Sequence, residues 1–499
     1  LPGGRRHRRA TLVAVTASLC AVPPAEPAPA DGLDRQELER RLPQPVLPSR
    51  PDWVRLYGAA WRAAHSNVKA GTRANGFASA YLDEGYNDRL YHWDSCFMAL
   101  FARYGHHVLP SLGALDSVYR KQHADGFSSR ELSEVDGSDF HAPSDRDASN
   151  PPLAAWAEWS HYLVTGDAAR LRAVLPYLQK GYEWVRAHRR APGGLYWNTR
   201  LGSGMDNSPR SGEAWIDMSA QVALAAESLA LIAGRLGDEA AARRYQRDHA
   251  ELRQAVNARL WDDDAGLYFD ALPSGLSGVA TIASFWPLVA GIPDAPRAAR
   301  MVHHLADPAR FWRAHPFASL SAGHPDFKGF GGYWKGGVWP PTNYMAVKGL
   351  ERYGHRALAR QAVEAHLDAM ARLYLETGTI WEYYAADAAG PANNARRRFV
   401  GWSGLGPIAL LIETILGIGV DAGADVLTWD LWRLDEHGVR NLRFGDNLVS
   451  LVAPARSSPA APVLAIVETD SPFTLCVRTE SGMVVRAVDP GAHRLELSP

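Results

Sequence analysis

The stretch 188–216, HRRAPGGLYWNTRLGSGMDNSPRSGEAWI, separates two runs of helical apolar spacing at 168–187 and 217–236. It is long and rich in glycine, asparagine and tryptophan. At its centre Gly202-Ser203-Gly204-Met205-Asp206-Asn207-Ser208-Pro209-Arg210 surrounds one carboxylate with turn-forming residues. Such surroundings place Asp206 on a turn where backbone and side-chain donors can aim it; an Asx-turn that only holds the loop together is the plainer account. The run after it, through Val222, Leu224, Leu229, Ile232 and Leu236, is apolar on nearly every face and reads as an inner helix. The next, with Arg243, Arg244, Arg247, Leu252 and Val256, is amphipathic and reads as an outer one.

The same spacing rule, carried outward, predicts about twelve helices: 52–70, 94–106, 110–121, 152–166, 168–187, 217–236, 238–261, 279–290, 294–306, 340–353, 355–373 and 404–418. Their connections alternate. Tight ones carry Gly105, Gly166, Gly237, Gly291 and Gly354; long ones span 71–93, 122–151, 188–216, 262–278, 307–339 and 374–403. Loops this long inside a compact domain usually carry function. Antiparallel helices with this alternation gather the long loops at one end. The expected fold is therefore mainly α, an (α/α)6 barrel of six helical hairpins with a binding funnel at the long-loop end. An open solenoid is the other arrangement, but no fixed-period repeat supports one. Past Gly419, short β-rich runs separated by Gly, Asp-Asn and Pro-Gly signals predict a small C-terminal β-sandwich. The expected division is a signal-like segment at 1–30, a Pro-rich linker at 31–49, the catalytic barrel at 50–420 and the β-rich domain at 421–499.

Composition narrows the partners. The chain has 499 residues, is 46% hydrophobic and 21% charged, and carries a formal net charge of −1, so no basic excess favours nucleic acid. Seventeen tryptophans and eighteen tyrosines, many in loops, suit stacking on sugar faces. Arg5, Arg6, Arg8 and Arg9 precede an apolar run to Val22 and a Pro/Ala stretch, the order of a secretory signal, which predicts a secreted or periplasmic protein. No later run reaches membrane-spanning length without a charge. Cys20, Cys96 and Cys476 have no metal-type spacing, and no metal or cofactor is expected. The acids of the second long loop, Asp136, Asp139, Asp145 and Asp147, lack a calcium-loop pattern and read as a solvated acidic loop.

Chemistry concentrates in the long loops. The first ends at Tyr86 and runs through Trp93-Asp94 into a helix; Asp94 reads either as a helix cap or as an acceptor of paired sugar hydroxyls. The sixth holds Trp381-Glu382-Tyr383-Tyr384, where a glutamate among rings is poorly solvated unless donors surround it; an ion-pair partner for one of Arg396, Arg397 or Arg398 is the plainer account. There is no GxSxG elbow, HExxH or phosphate loop. Two carboxylates on separate loops of one aromatic-lined funnel fit glycoside hydrolysis better than acyl or phosphoryl transfer.

Several motifs in order then carry a resemblance. YHWDSCF (91–97), QHADGF (122–127), SGMDNSPR (203–210), YWKGGVWPPTNY (333–344), WEYY (381–384) and GWSGLGPIALLIE (401–413) resemble bacterial members of glycoside hydrolase family 63, of the mannosylglycerate and glucosylglycerate hydrolase kind. More distantly the chain is similar to trehalases and processing α-glucosidase I. The resemblance covers about 80–420. It implies an (α/α)6 barrel and an inverting, exo-acting α-glycosidase, with Asp206 as general acid and Glu382 as general base. It implies that Trp93, Asp94 and Gln122 hold the sugar and that Tyr333, Trp334 and Lys335 line it. Tyr86, Gly204, Arg210, Gly336 and Trp381, from the same loops, complete the expected substrate contacts. Lys335 stands where many relatives have arginine, which keeps charge but loses bidentate geometry. The paired arginines and the lid glutamate of trehalases have no counterpart, so a trehalase-like hydrolase ranks below the family-63 reading. A catalytically weak sugar-binding protein on the same barrel is the alternative from another class. The expected partner is a small carbohydrate.

Overall fold

The computed structural model describes residues 35–497 apart from 389, 460, 480 and 481. The signal-like segment expected at 1–30 lies outside the described residues. The helices run α1 (Arg35–Arg41), α2 (Pro51–Ser66), α3 (His92–Ala102), α4 (Gly113–Lys121), α5 (Ala154–Thr165), α6 (Ala168–His188) and α7 (Ile216–Arg235). They continue with α8 (Glu239–Arg259), α9 (Trp286–Val289), α10 (Ala295–Ala306), α11 (Pro340–Arg352) and α12 (Arg356–Thr377). A last stretch, Trp402–Leu405, continues as a wide-turned helix, Gly406–Ile415.

Six of these segments touch in a closed cycle: α3, α5, α7, α9, α11 and the 402–415 stretch, which returns to α3. The rest lie outside. Burial follows the sequence patterns. Along α7 almost every residue is buried, whereas α8 buries only Ala242, Tyr245, Leu252 and Val256. Among the described residues α7 is the one helix long and apolar enough to cross a membrane, and it lies inside this ring. The tight turns pair a stop with a start. Gly166 ends α5 in the left-handed region (φ 68°), and Asp167 caps α6 by accepting the Arg170 N–H. Asp238 and Asp294 cap α8 and α10 the same way. Every inner segment is entered from a long loop, so those loops gather at the inner N-terminal ends.

At the other end sit two sheets. One has five strands in the order 44–46, 437–444, 447–453, 463–469, 491–497; the other has four, in the order 418–421, 426–430, 473–479, 482–488. They meet at Phe444 and Phe473, edge to face at 5.7 Å. The Ala422 N–H donates to the Leu163 carbonyl and the Gly445 N–H to Val164, tying the sheets to the end of α5. The expected linker at 31–49 is corrected here. Arg35–Arg41 is helical and Gln44–Val46 pairs with 438–440 as an edge strand. Proline at position 45 reads as linker in sequence, yet an edge strand tolerates it because its missing N–H faces away from the ladder.

Candidate active site

A small cavity of about 130 Å³ opens among the long loops, lined by Tyr86, Tyr91, Trp93, Asp94, Arg130, Glu131, Asn150, Leu201, Gly204, Asp206, Tyr333, Glu382, Phe399 and Trp402. Five loops contribute. The first two are joined by the strand pair 89–91 with 131–133, which brings Glu131 beside Arg89 at 2.5 Å. Asn150 links three pieces: its carbonyl accepts the Trp93 N–H at 3.2 Å and its amide donates to Gly202 O at 3.2 Å.

Asp206 is carried on a chain of tight turns, with Met205 N–H on Arg200 O and Gly204 N–H on Leu201 O. Gly204 has φ 76°, and a Cβ there would stand 3.2 Å from the Trp93 indole, so only glycine lets this loop lie on that ring. Asn207 fixes the loop to its neighbour: it donates to Gly332 O at 3.1 Å and accepts the Trp334 N–H at 2.9 Å. Across that junction the Tyr333 hydroxyl donates to Asp206 Oδ2 at 3.3 Å. Tyr333 has φ 60°, uncommon for a bulky residue. It stands edge-on to Trp339 and Tyr383, which with Trp334 form a three-ring stack at 4.1 and 4.2 Å.

Glu382 is clamped through its backbone. Its N–H donates to Arg396 O at 3.0 Å, and its carbonyl accepts from the Trp402 indole at 2.9 Å. Its carboxylate receives one backbone N–H, from Arg396, at 3.1 Å. Burial dominates and pushes Glu382 up to about 7, against the Arg396 N–H and guanidinium, with Asp206 adding to the rise. Burial also raises Asp206, opposed by the nearby Arg130 charge and the Tyr333 hydroxyl. Asp94 is held well above the carboxylate range by burial first and then by Glu382 and Asp206. All three carboxyls are thus shifted upward from their ordinary values, with burial the first cause in each.

Of the expected contacts, the structure brings Asp206, Glu382, Tyr86, Trp93, Asp94, Gly204 and Tyr333 together at this cavity. The others stand elsewhere. Gln122 donates to Gly126 O and Tyr177 O beside a different, smaller void. Arg210 is buried between Asp217 and Asp270, each bound at both ends of its guanidinium, and serves as a strut. Trp334 is inside the ring stack, and Lys335 pairs with Asp326 at 3.1 Å. Gly336 is needed because a Cβ would stand 2.6 Å from Lys328 O. Trp381 donates its indole N–H to Thr377. Tyr91, Arg130, Glu131, Asn150, Leu201, Phe399 and Trp402 line the cavity without having been singled out as contacts. Tyr91 and Trp402 lie inside quoted motifs; Arg130 and Glu131 have no signal beyond their place in a long loop.

The second-loop acids are occupied locally: Asp136 accepts from Ser138, and Asp139 pairs with His123 at 2.6 Å. Among the described residues no group of three or more His, Cys, Asp or Glu is placed to hold a metal ion.

The sequence and the fold match a known group. The model of the mannosylglycerate hydrolase MGH1-like glycoside hydrolase domain matches residues 87–399; the chain belongs to that family and is a glycoside hydrolase. An uncharacterized protein of Borreliella burgdorferi is 26% identical over 394 residues, covering 74% of this chain and 82% of that one. The mannosylglycerate hydrolase of Rubrobacter radiotolerans is 30% identical over 166 residues, 32% of this chain and 36% of the relative. Among solved structures, a GH63 mannosylglycerate hydrolase from Thermus thermophilus in complex with glucose superposes with a TM-score of 0.59. It is 22% identical, over 70% of this chain and 98% of that one, a likeness of fold.

Proposed function

We propose that the chain is an inverting, exo-acting α-glycosidase of the α-glucosidase type that removes one terminal sugar from a small α-glucoside or α-mannoside. On this reading the helical ring is an (α/α)6 barrel, the paired sheets are its appended sandwich, and the small cavity receives the sugar. Asp206 acts as general acid and Glu382 as general base, with Asp94 accepting sugar hydroxyls beside Trp93. The observation that carries it is the meeting of Asp206 and Glu382, from loops about 175 residues apart in sequence, at one aromatic-walled cavity. An inverting pair stands about 6.5–9.5 Å apart so that a water fits between base and anomeric carbon. A small aglycone would sit where Arg130 and Leu201 border Asp206. The relatives' mannosylglycerate makes that compound the first substrate to try. A trehalase-like activity ranks lower, and so does sugar binding without turnover.

One observation favours a second reading with the roles exchanged. At the cavity Tyr333 and Arg130 favour the charged form of Asp206, while Glu382, with a single backbone donor, rises to about 7. A bell-shaped pH profile is expected from either assignment, because its limbs belong to the coupled pair. Leaving-group dependence separates them. A variant lacking the acid keeps turnover on a glycosyl fluoride, whose leaving group needs no proton. A variant lacking the base is rescued by azide. Fluoride turnover by Asp206→Asn and azide rescue of Glu382→Gln would support the first assignment; the reverse pattern would exchange the roles. The signal-like 1–30 segment adds the proposal of export, tested by whether N-terminal mass spectrometry of exported protein finds it removed.

A further inference from the structure

A larger cavity, about 540 Å³, opens at the opposite end, between the ring and the four-stranded sheet. Against the ring, charges are matched. Arg352 grips Glu227 with two hydrogen bonds of 2.7 and 2.8 Å, and Arg103 and Lys348 share Glu413. Toward the sheet they are not. Arg360 donates to Asp430 Oδ2 at 2.6 Å, and Arg356 stands 3.9 Å from the same oxygen. Arg478 is the register partner of Asp430 across the parallel strands 426–430 and 473–479, and its side chain makes no hydrogen bond or ion pair among the described residues. Two guanidiniums of α12 therefore share one carboxylate, and a third, on the neighbouring strand, lines the same cavity, a local surplus of two positive charges.

One feature adds to that field. The 22-residue α12 begins at Arg356 with no acidic residue in its first turn and no side-chain cap from His355, leaving first-turn N–H groups at the positive end of its dipole. A concave, low-dielectric wall of one sign concentrates counter-charge. Guanidiniums present donors in pairs that fit phosphate oxygens. Trp156 and Trp159 on the same wall offer apolar faces to the remainder of a ligand.

We propose that this cavity binds a small phosphate ester, its phosphate held by Arg356 and Arg478 beside Arg360, and its body against the tryptophans. A ligand there bridges ring and sheets, so its binding stabilises the two together. The proposal does not depend on which glycoside is hydrolysed.

The test is thermal unfolding and titration calorimetry of the full chain with inorganic phosphate and glucose 6-phosphate, against glucose and against sodium chloride at matched ionic strength. A saturable rise in Tm and measurable heat with glucose 6-phosphate, absent with glucose or chloride, is expected. Arg356→Ala with Arg478→Ala should abolish both and leave basal hydrolysis unchanged. Asp430→Asn, which removes the competing internal anion, should tighten binding several-fold, an effect a purely structural cluster would not give. If the double variant does not fold, Arg478→Gln alone should weaken binding at least 5-fold. No saturable binding by the wild type, or equal shifts in wild type and arginine variants, would overturn the proposal and leave an adventitious ion effect only.

Discussion

Glu382 and Glu413 are shielded glutamates at opposite ends of the same ring, with 3% residue and 7% side-chain exposure respectively. They are held in opposite states. Burial pushes both upward. At Glu413 that push is outweighed by Lys348 at 3.0 Å and Arg103 at 2.5 Å, with the Tyr104 and Tyr344 hydroxyls also donating, and the group falls below its usual range. At Glu382 one backbone N–H and a more distant guanidinium do not suffice, and it rises to about 7. Around Glu413 opposite charges offset one another and bind helices together. The loop end leaves carboxyls under-compensated, the condition that keeps a proton available for transfer near neutral pH.

The largest contrast should come from exchanging each glutamate for its amide. Glu382→Gln is expected to lower kcat by about 10²–10⁴-fold or more while the protein stays folded. Glu413→Gln leaves the buried Arg103 without its anion and should destabilise by about 3–5 kcal/mol in chemical denaturation. Full stability of Glu413→Gln with lost hydrolysis would break the division between the two ends.

A smaller effect sharpens it through pH. The folded pKa of Glu382 lies above its unfolded value. The folded state therefore binds more protons between the two, and the associated stability is fully present below the ordinary glutamate range and lost as pH rises through about 7. Glu382→Gln should thus be more stable than wild type at pH 8, by on the order of 1–3 kcal/mol, with no gain at pH 4. For Glu413, depressed in the folded state, the sign is opposite: its contribution is present above the unfolded pKa and lost as pH falls through the folded one. Unfolding midpoints across pH 4–8 for both variants check the signs.

The smallest effect concerns a residue the family resemblance points to and the geometry does not. Lys335 is away from the cavity and paired with half-exposed Asp326. Lys335→Ala should change kcat/KM by less than about 3-fold, as expected for a weak surface pair. A loss of 100-fold would mean that Lys335 leaves Asp326 to reach the substrate.

Much of the fold is legible in the sequence because apolar period and loop length report on burial and connectivity. The all-round apolar run at 217–236 is the buried α7, and the glycine-marked turns are where the chain reverses. The strand at 44–46 escapes such a reading, since three residues on a sheet edge leave little alternation to detect. At the site, motif membership identifies loops but not side-chain directions. Tyr333 faces the cavity while its neighbours Trp334 and Lys335 turn into the ring stack and toward Asp326. Arg210 sits in the same motif as Asp206 yet is a buried strut, because Asp270 and Asp217, outside that motif, supply its partners. Asn150 shows the converse: a polar residue before two prolines acquires its place only when the Trp93 and Gly202 backbones arrive.

The stereochemistry of the first-formed product bears most directly on the central claim. Hydrolysis of an α-glycoside that the enzyme turns over, mannosylglycerate among the first to be tried, would be followed by proton NMR before mutarotation. A water activated by one carboxylate opposite a leaving group protonated by the other gives the β-anomer first. Initial appearance of the α-anomer would mean a covalent intermediate and a closer carboxyl pair, and would contradict the roles given to Asp206 and Glu382.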